Sequence, residues 1–145
     1  MQTIATLSLG ARPEATREAA AWLEDIAASH PDWPPARVFA LTLCVDEALS
    51  NIIMHAGLDA ESDTSITLTL KADASHLIVD IRDQGVAFDP TLRPSPPLVS
   101  ELSEARPGGH GLRLMRHYLK RIEYTREAGH NCLRLVLERD LPEAP

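Results

Sequence analysis

The chain has 145 residues, 44% of them hydrophobic and only 4% aromatic, with a formal net charge of -7 and a pI near 5.3. That length suits one domain built around one core, and the core must be aliphatic. So acidic a chain is poorly placed to bind nucleic acid, where phosphate neutralisation supplies most of the affinity, and has no charge-based reason to lie on an anionic membrane.

Met1-Gln2-Thr3-Ile4-Ala5-Thr6 has no basic stretch followed by an apolar run, so no secretory signal is expected. No apolar segment is expected to approach the ~20 residues that span a bilayer. A cytoplasmic location follows as the expectation. Cys44 and Cys132 lie far apart inside apolar patterns and read as small buried hydrophobes in a reducing compartment. The six histidines form no tight cluster of metal-site spacing.

In chain order, residues 4–9 alternate and predict a short strand. Pro13-Glu14 opens an Ala-rich helix running to about residue 29, with Glu14 favourably near its start. His30-Pro31-Asp32-Trp33-Pro34-Pro35 ends it. A second helix is predicted over residues 35–55. Residues 64–71 and 76–82 alternate and predict a hairpin. Residues 83–109 have no usable periodicity and contain Pro90, Pro94, Pro96, Pro97 and Pro107. A loop of that length in a small domain signals function or mobility, and residues 88–107 are expected to form a mobile lid. A third helix is predicted over residues 111–120, then strands over 122–127 and 131–138. The order predicts an α/β (α+β) two-layer sandwich: a mostly antiparallel sheet with three helices on one face.

Three segments carry chemistry. On the second helix, Val38, Leu41, Val45, Leu49 and Ile52 form the stripe expected to face the sheet, at about 100° per residue. Glu47 and Asn51, four apart, fall on the opposite face with Leu43 and Met54, and His55 sits one turn further on. Polar groups among such neighbours suggest a covered site wall, although an ordinary surface helix has the same composition. The carboxylate can accept a proton and the amide oxygen can ligate a hard cation such as Mg²⁺. Asp83-Gln84-Gly85 follows a strand: the aspartate can accept from an exocyclic amine such as that of adenine, and Gly85 permits a turn or a close approach. The alternative is a plain turn. Gly108-Gly109-His110-Gly111 precedes a helix, where free amides and the dipole favour a phosphate; a hinge is the competing reading. The third helix also carries a basic stripe, Arg113, Arg116, His117, Lys120 and Arg121. Such a stripe is a solvated surface or a partner-docking face.

These features, in this order, resemble the gyrase/Hsp90/histidine-kinase/MutL ATPase superfamily and, more closely, the bacterial anti-sigma factor serine/threonine kinases. Residues 45–56, ending in His55-Ala56, are similar to that family's first box. Asp83-Gln84-Gly85 is similar to its adenine box, residues 108–115 to its phosphate-lid box, and Gly129-His130-Asn131 to its closing hairpin. The resemblance implies a Bergerat-type ATP-binding fold over residues 1–145, with ATP and Mg²⁺ as cofactors. It implies Glu47 as general base, Asn51 as Mg²⁺ ligand, Asp83 for the adenine amine and Gly85 for the shape of the base pocket. Gly108, Gly109, His110, Gly111 and Leu112 would form the phosphate segment, with Gly109 and Gly111 offering amides. Ala87 stands where the wider superfamily often has a second glycine, which implies an altered pocket or lid. The implied activity is transfer of the ATP γ-phosphate to a serine or threonine of an anti-anti-sigma-like partner, by a chain that the resemblance also suggests is a homodimer. The rival is a nucleotide-gated module that sequesters a sigma factor or other regulator without catalysis. A histidine-kinase catalytic domain fits less well: such domains typically place asparagine where this chain has Glu47, and no separate phosphoacceptor helical domain is expected here.

Overall fold

The computed structural model describes residues 1–92 and 111–140. In chain order they form β1 (Gln2–Leu9), α1 (Ala15–Ala28), α2 (Pro35–His55), β2 (Ile66–Ala72), β3 (His76–Asp83), a 3-10 turn (Pro90–Leu92), α3 (Gly111–Tyr118), β4 (Arg121–Glu127) and β5 (His130–Glu138). The five strands make one sheet in the order β1-β2-β3-β5-β4, and every neighbouring pair is antiparallel. This is the two-layer arrangement that the element order predicts.

Alternation along the strands builds the core. Leu68 and Leu70 of β2, Val79 and Ile81 of β3, and Leu135 and Leu137 of β5 are buried. With a period of two they share the face that meets the helices. The opposite face is polar. There Arg134 donates to both carboxylate oxygens of Asp80 at 2.7 and 2.9 Å, and Lys71 approaches the same carboxylate at 2.9 Å. Burial of Asp80 works to raise its pKa, but the bonds from Arg134 and Lys71 outweigh it and hold the group below the ordinary carboxylate range.

Helix α2 is the axis of the core. Pro35 is its first residue, where a missing N–H costs nothing and the fixed φ suits a helix. Leu41, Cys44, Val45, Ala48, Leu49 and Ile52 are buried on it. Burial pushes the Cys44 thiol up to about 12, while Cys132 is only half-buried; both are free thiols. By length and composition α2 is long and apolar enough to cross a membrane, which corrects the expectation that no segment reaches that size. Its apolar side chains are instead spent on the packing between α1, α3 and the sheet. Because α1 and α3 both pack on it, its buried surface is wider than one stripe. Asn51, expected opposite the sheet-facing stripe, is therefore 9% exposed, and the outward line is marked by Phe39 and Met54.

Helix α3 buries Leu112 and Met115, and Leu119 just past its end is buried as well. It ends at Tyr118, so Lys120 and Arg121 of the basic stripe leave the helix for the turn and β4. There Lys120 lies 3.7 Å from Glu138 and Arg121 3.2 Å from Glu123. The basic stripe is thus partly matched by acidic neighbours from the sheet.

The packing of α2 sets an expected cost. Leu49, fully buried, should lose about 2–5 kcal/mol of stability on replacement by alanine. Phe39→Ala, on the exposed side of the same helix, should change stability by no more than about 0.5 kcal/mol. Urea unfolding of both variants measures the contrast.

Candidate functional site

The site is organised at the end of β3. Asp83 is the last residue of that strand and lies in phase with the inward Val79 and Ile81, so its carboxylate points into the helix side of the sheet and is 2% exposed. Its register partner on β5 is Asn131, 4% exposed. Asn131 Nδ2 donates to Asp83 Oδ1 at 3.0 Å and to the Val86 carbonyl at 2.8 Å. The Gly85 amide donates to the same Asp83 Oδ1 at 2.8 Å. Asn131 Oδ1 in turn accepts from the Phe88 amide at 3.2 Å, the Tyr124 hydroxyl at 2.5 Å and Arg126 Nη1 at 3.1 Å. Arg126 Nη1 also donates to the Gly85 carbonyl at 2.7 Å. The whole turn from Asp83 to Phe88 is held from the β4–β5 hairpin.

The same turn is held from α2. The Val86 amide donates to the Ala56 carbonyl at 2.9 Å, satisfying a carbonyl at the helix end that has no intrahelical partner. A Cβ on Gly85 would stand 2.3 Å from the Ala56 carbonyl oxygen, 2.7 Å from the Ala56 Cβ and 2.9 Å from Asp83 Oδ1. Gly85 does not adopt a left-handed φ. The glycine is required by contact with the helix end rather than by the shape of the turn. Ala87, beyond it, is exposed, and Phe88 stacks on His55 with ring centroids 4.9 Å apart.

Glu47 and Asn51 lie further up α2. Glu47 is half-buried; burial first, and the neighbouring charge of Asp46 second, raise its pKa above the ordinary glutamate value. Asn51 is buried and makes no side-chain hydrogen bond among the described residues. Gly111 opens α3, while the Leu112 side chain is 7% exposed in the core, so only its backbone faces the helix N-terminus. Gly108, Gly109 and His110 lie outside the described residues, as does the expected lid from residue 93 onward. Its first part contains a short 3-10 turn. Asp89 Oδ1 accepts from the Thr91 amide and hydroxyl at 2.8 and 2.6 Å, and Arg116 Nη2 donates to the Thr91 carbonyl at 3.1 Å. These bonds hold the 3-10 turn Pro90–Leu92 against α3.

Asp83 also borders a cleft of about 460 Å³ lined by Gly57, Ser62, Thr64, Arg82, Gln84 and His130. A second cleft, of about 470 Å³, lies on the polar face of the sheet around Lys71, Asp80 and Arg134 and contains none of the predicted site residues. Lys71, Asp80 and Arg134 there already satisfy one another, so the end of β3 is the better candidate. Among the described residues, no group of three or more His, Cys, Asp or Glu could hold a metal ion.

Residues 9–137 match the family of the histidine kinase-like ATPase domain. The chain is also 44% identical over 131 residues to the serine/threonine-protein kinase BtrW of Bordetella bronchiseptica, covering 90% of this chain and 91% of that one. This chain belongs to the histidine kinase-like ATPase family. Nucleotide use comes with that membership, and a serine/threonine-protein kinase is among its relatives. Two solved structures share the ATPase fold. One holds the RsbU and RsbW domains of a Mycobacterium tuberculosis protein, with a TM-score of 0.65 and 14% identity; the match covers all of this chain and 35% of that one. The other is the SiaB-SiaC complex of Pseudomonas aeruginosa, with a TM-score of 0.59 and 13% identity, covering 94% and 90% of the two chains.

In this ATPase, Asn131 is the residue that sequence reasoning passed over. It entered only as part of a closing hairpin. The available signal was its phase: a carboxamide two, four and six residues before the inward Leu133, Leu135 and Leu137 must itself point inward.

Gly85→Ala should prove costly. The atoms nearest the new methyl include a backbone carbonyl, so the turn must shift, with a loss of about 1–3 kcal/mol in denaturant unfolding. The same shift should displace Asp83 and weaken binding of adenine nucleotides, measured by calorimetry.

Proposed function

We propose that residues 1–145 act as one cytoplasmic ATP-binding domain that transfers the γ-phosphate of Mg-ATP to a serine or threonine of a small regulatory protein of the anti-anti-sigma kind. The observation that carries this reading is the arrangement of Asp83. Its Oδ1 is committed to two N–H donors, while Oδ2 takes part in no hydrogen bond among the described residues. A carboxylate held by one oxygen and open at the other suits an exocyclic amine. Asn51, whose amide oxygen accepts no bond among the described residues, suits a hard cation that takes its remaining ligands from phosphates and water.

Bound Mg-ATP would supply the transferable phosphoryl group; the chain supplies position and a base. Gly109 and Gly111 would offer amides to the phosphates at the start of α3. Glu47, one helical turn before Asn51, accepts the proton of the attacking serine or threonine hydroxyl. Its raised pKa brings it closer to the operating pH and makes it a better base than an exposed glutamate. The kinase relative at 44% identity supports the same chemistry.

Two substitutions test this. Glu47→Gln keeps the size of the side chain and removes its basicity. Nucleotide binding should persist, while phosphotransfer to a serine-bearing acceptor, followed with γ-labelled ATP, should fall by about 10²–10⁴-fold. Transfer at the parental rate would remove Glu47 from the mechanism and favour the nucleotide-gated binding module. The same variant carries a stability signature. A glutamate whose folded pKa is raised opposes folding once it ionises, so Glu47→Gln should unfold at a higher temperature than the parent at pH 7. The gain should vanish below the ordinary glutamate range of about 4.3, where Glu47 is protonated in both states. Asp83→Asn can keep an oxygen toward Gly85 and Asn131, but presents an NH₂ where the open acceptor was. It should weaken ATP binding by about 1.5–3 kcal/mol.

A further inference from the structure

We infer that Asn131 is a positioning residue that fixes which oxygen of Asp83 is presented to the base, and thereby sets selectivity for a purine carrying a 6-amino group. This rests on the nucleotide reading above and adds to it a residue from the far hairpin, with two residues behind it.

An aspartate carboxylate is two-fold about its last torsion, and its two oxygens are chemically equivalent. The Gly85 amide alone offers it one donor from its own turn. Asn131 Nδ2 supplies a second donor to the same oxygen, at 3.0 Å. With two donors converging on Oδ1, the carboxylate plane is set and Oδ2 is the acceptor left for a ligand.

The orientation of Asn131 is itself determined. Its oxygen receives three donors, from Phe88, Tyr124 and Arg126, and its nitrogen faces two acceptors, Asp83 Oδ1 and the Val86 carbonyl. Turning the amide over would set its NH₂ against three donors and its oxygen against two acceptors. All five bonds agree on one orientation, a stronger assignment than most side-chain amides permit. Its burial at 4% exposure makes a mismatched alternative more costly still. The direction of hydrogen bonding therefore runs from Tyr124 and Arg126 on β4, through Asn131, to Asp83. Neither β4 residue need touch a ligand to influence it.

The test compares two nucleotides on the full chain: ATP, and purine riboside triphosphate, which lacks only the 6-amino group. Wild-type protein should bind ATP about 10–100-fold more tightly than the analogue. In Asn131→Ala that ratio should fall toward one, chiefly through weaker ATP binding, with the analogue little affected. A residue that merely supported the fold would weaken both nucleotides together and leave the ratio intact. Arg126→Ala removes an exposed side chain and keeps the test available should Asn131→Ala fail to fold; it should lower the ratio by a smaller factor. The inference is overturned if a folded Asn131→Ala retains the parental ratio, if Arg126→Ala alone can be measured and retains it, or if wild-type protein binds both nucleotides equally well. That last result leaves nucleotide binding standing. Wild-type protein that binds neither nucleotide overturns the functional reading itself.

Discussion

The fold and the site both depend on one buried polar junction, where the amide of Asn131 meets the carboxylate of Asp83 at the end of two paired strands. A carboxylate 2% exposed is tolerated only if its hydrogen bonds are made. Asp83 obtains one from a neighbouring strand and one from its own turn. The turn is then pressed on the end of α2 closely enough that a methyl group on Gly85 would not fit. Sheet end, helix end and turn therefore define one another's positions. Groups on α2 and groups on β3 come into a fixed relation with no further device, which is what a site drawing on both elements requires.

Helix α2 serves two opposed demands. It is the most apolar of the described helices and fills the core, yet it carries Glu47 and Asn51 where burial penalises them. The penalty on Glu47 is the property that its proposed role as a base would use. Perturbed carboxylates in this kind of position are common at functional sites and cost stability there. Charge shows a related division. A chain with a net charge of -7 has no long-range attraction for an anionic ligand. In the function proposed here, recognition of phosphates would fall to backbone donors at a helix start rather than to a general basic surface, and part of the basic stripe near α3 is matched by Glu123 and Glu138.

Much of this was legible in the sequence, and the reasons for the remainder are specific. Strand β2 alternates strictly, β3 and β5 do so outside the apolar runs 77–79 and 135–137, and α2 is bracketed by Pro34-Pro35 and Ala56-Gly57, so their positions follow from period and punctuation. The candidate residues Glu47, Asn51, Asp83 and Gly85 were recognisable by type and spacing. The burial of Asn51 agrees with the covered wall suggested by its apolar neighbours on that face of α2. Gly85 was recognisable as special, but its contact with a helix end 29 residues earlier in the chain, at Ala56, is encoded by no local pattern. The five bonds of Asn131 depend on the register between β3, β5 and β4, which is fixed only when the sheet forms. The 3-10 turn at Pro90–Leu92 was hidden among prolines that read simply as loop.

If the end of β3 is where this ATPase reads its nucleotide, binding must be felt first by the backbone around Asp83. An amide-resolved NMR titration of the full chain with ATP measures this directly. The account predicts saturable shifts concentrated on residues 83–88, on Asn131 and its neighbours in β5, and on α2 around Asn51. The polar face of the sheet around Lys71, Asp80 and Arg134 should remain unmoved. No shifts up to millimolar ATP, or shifts concentrated on that polar face, would contradict it.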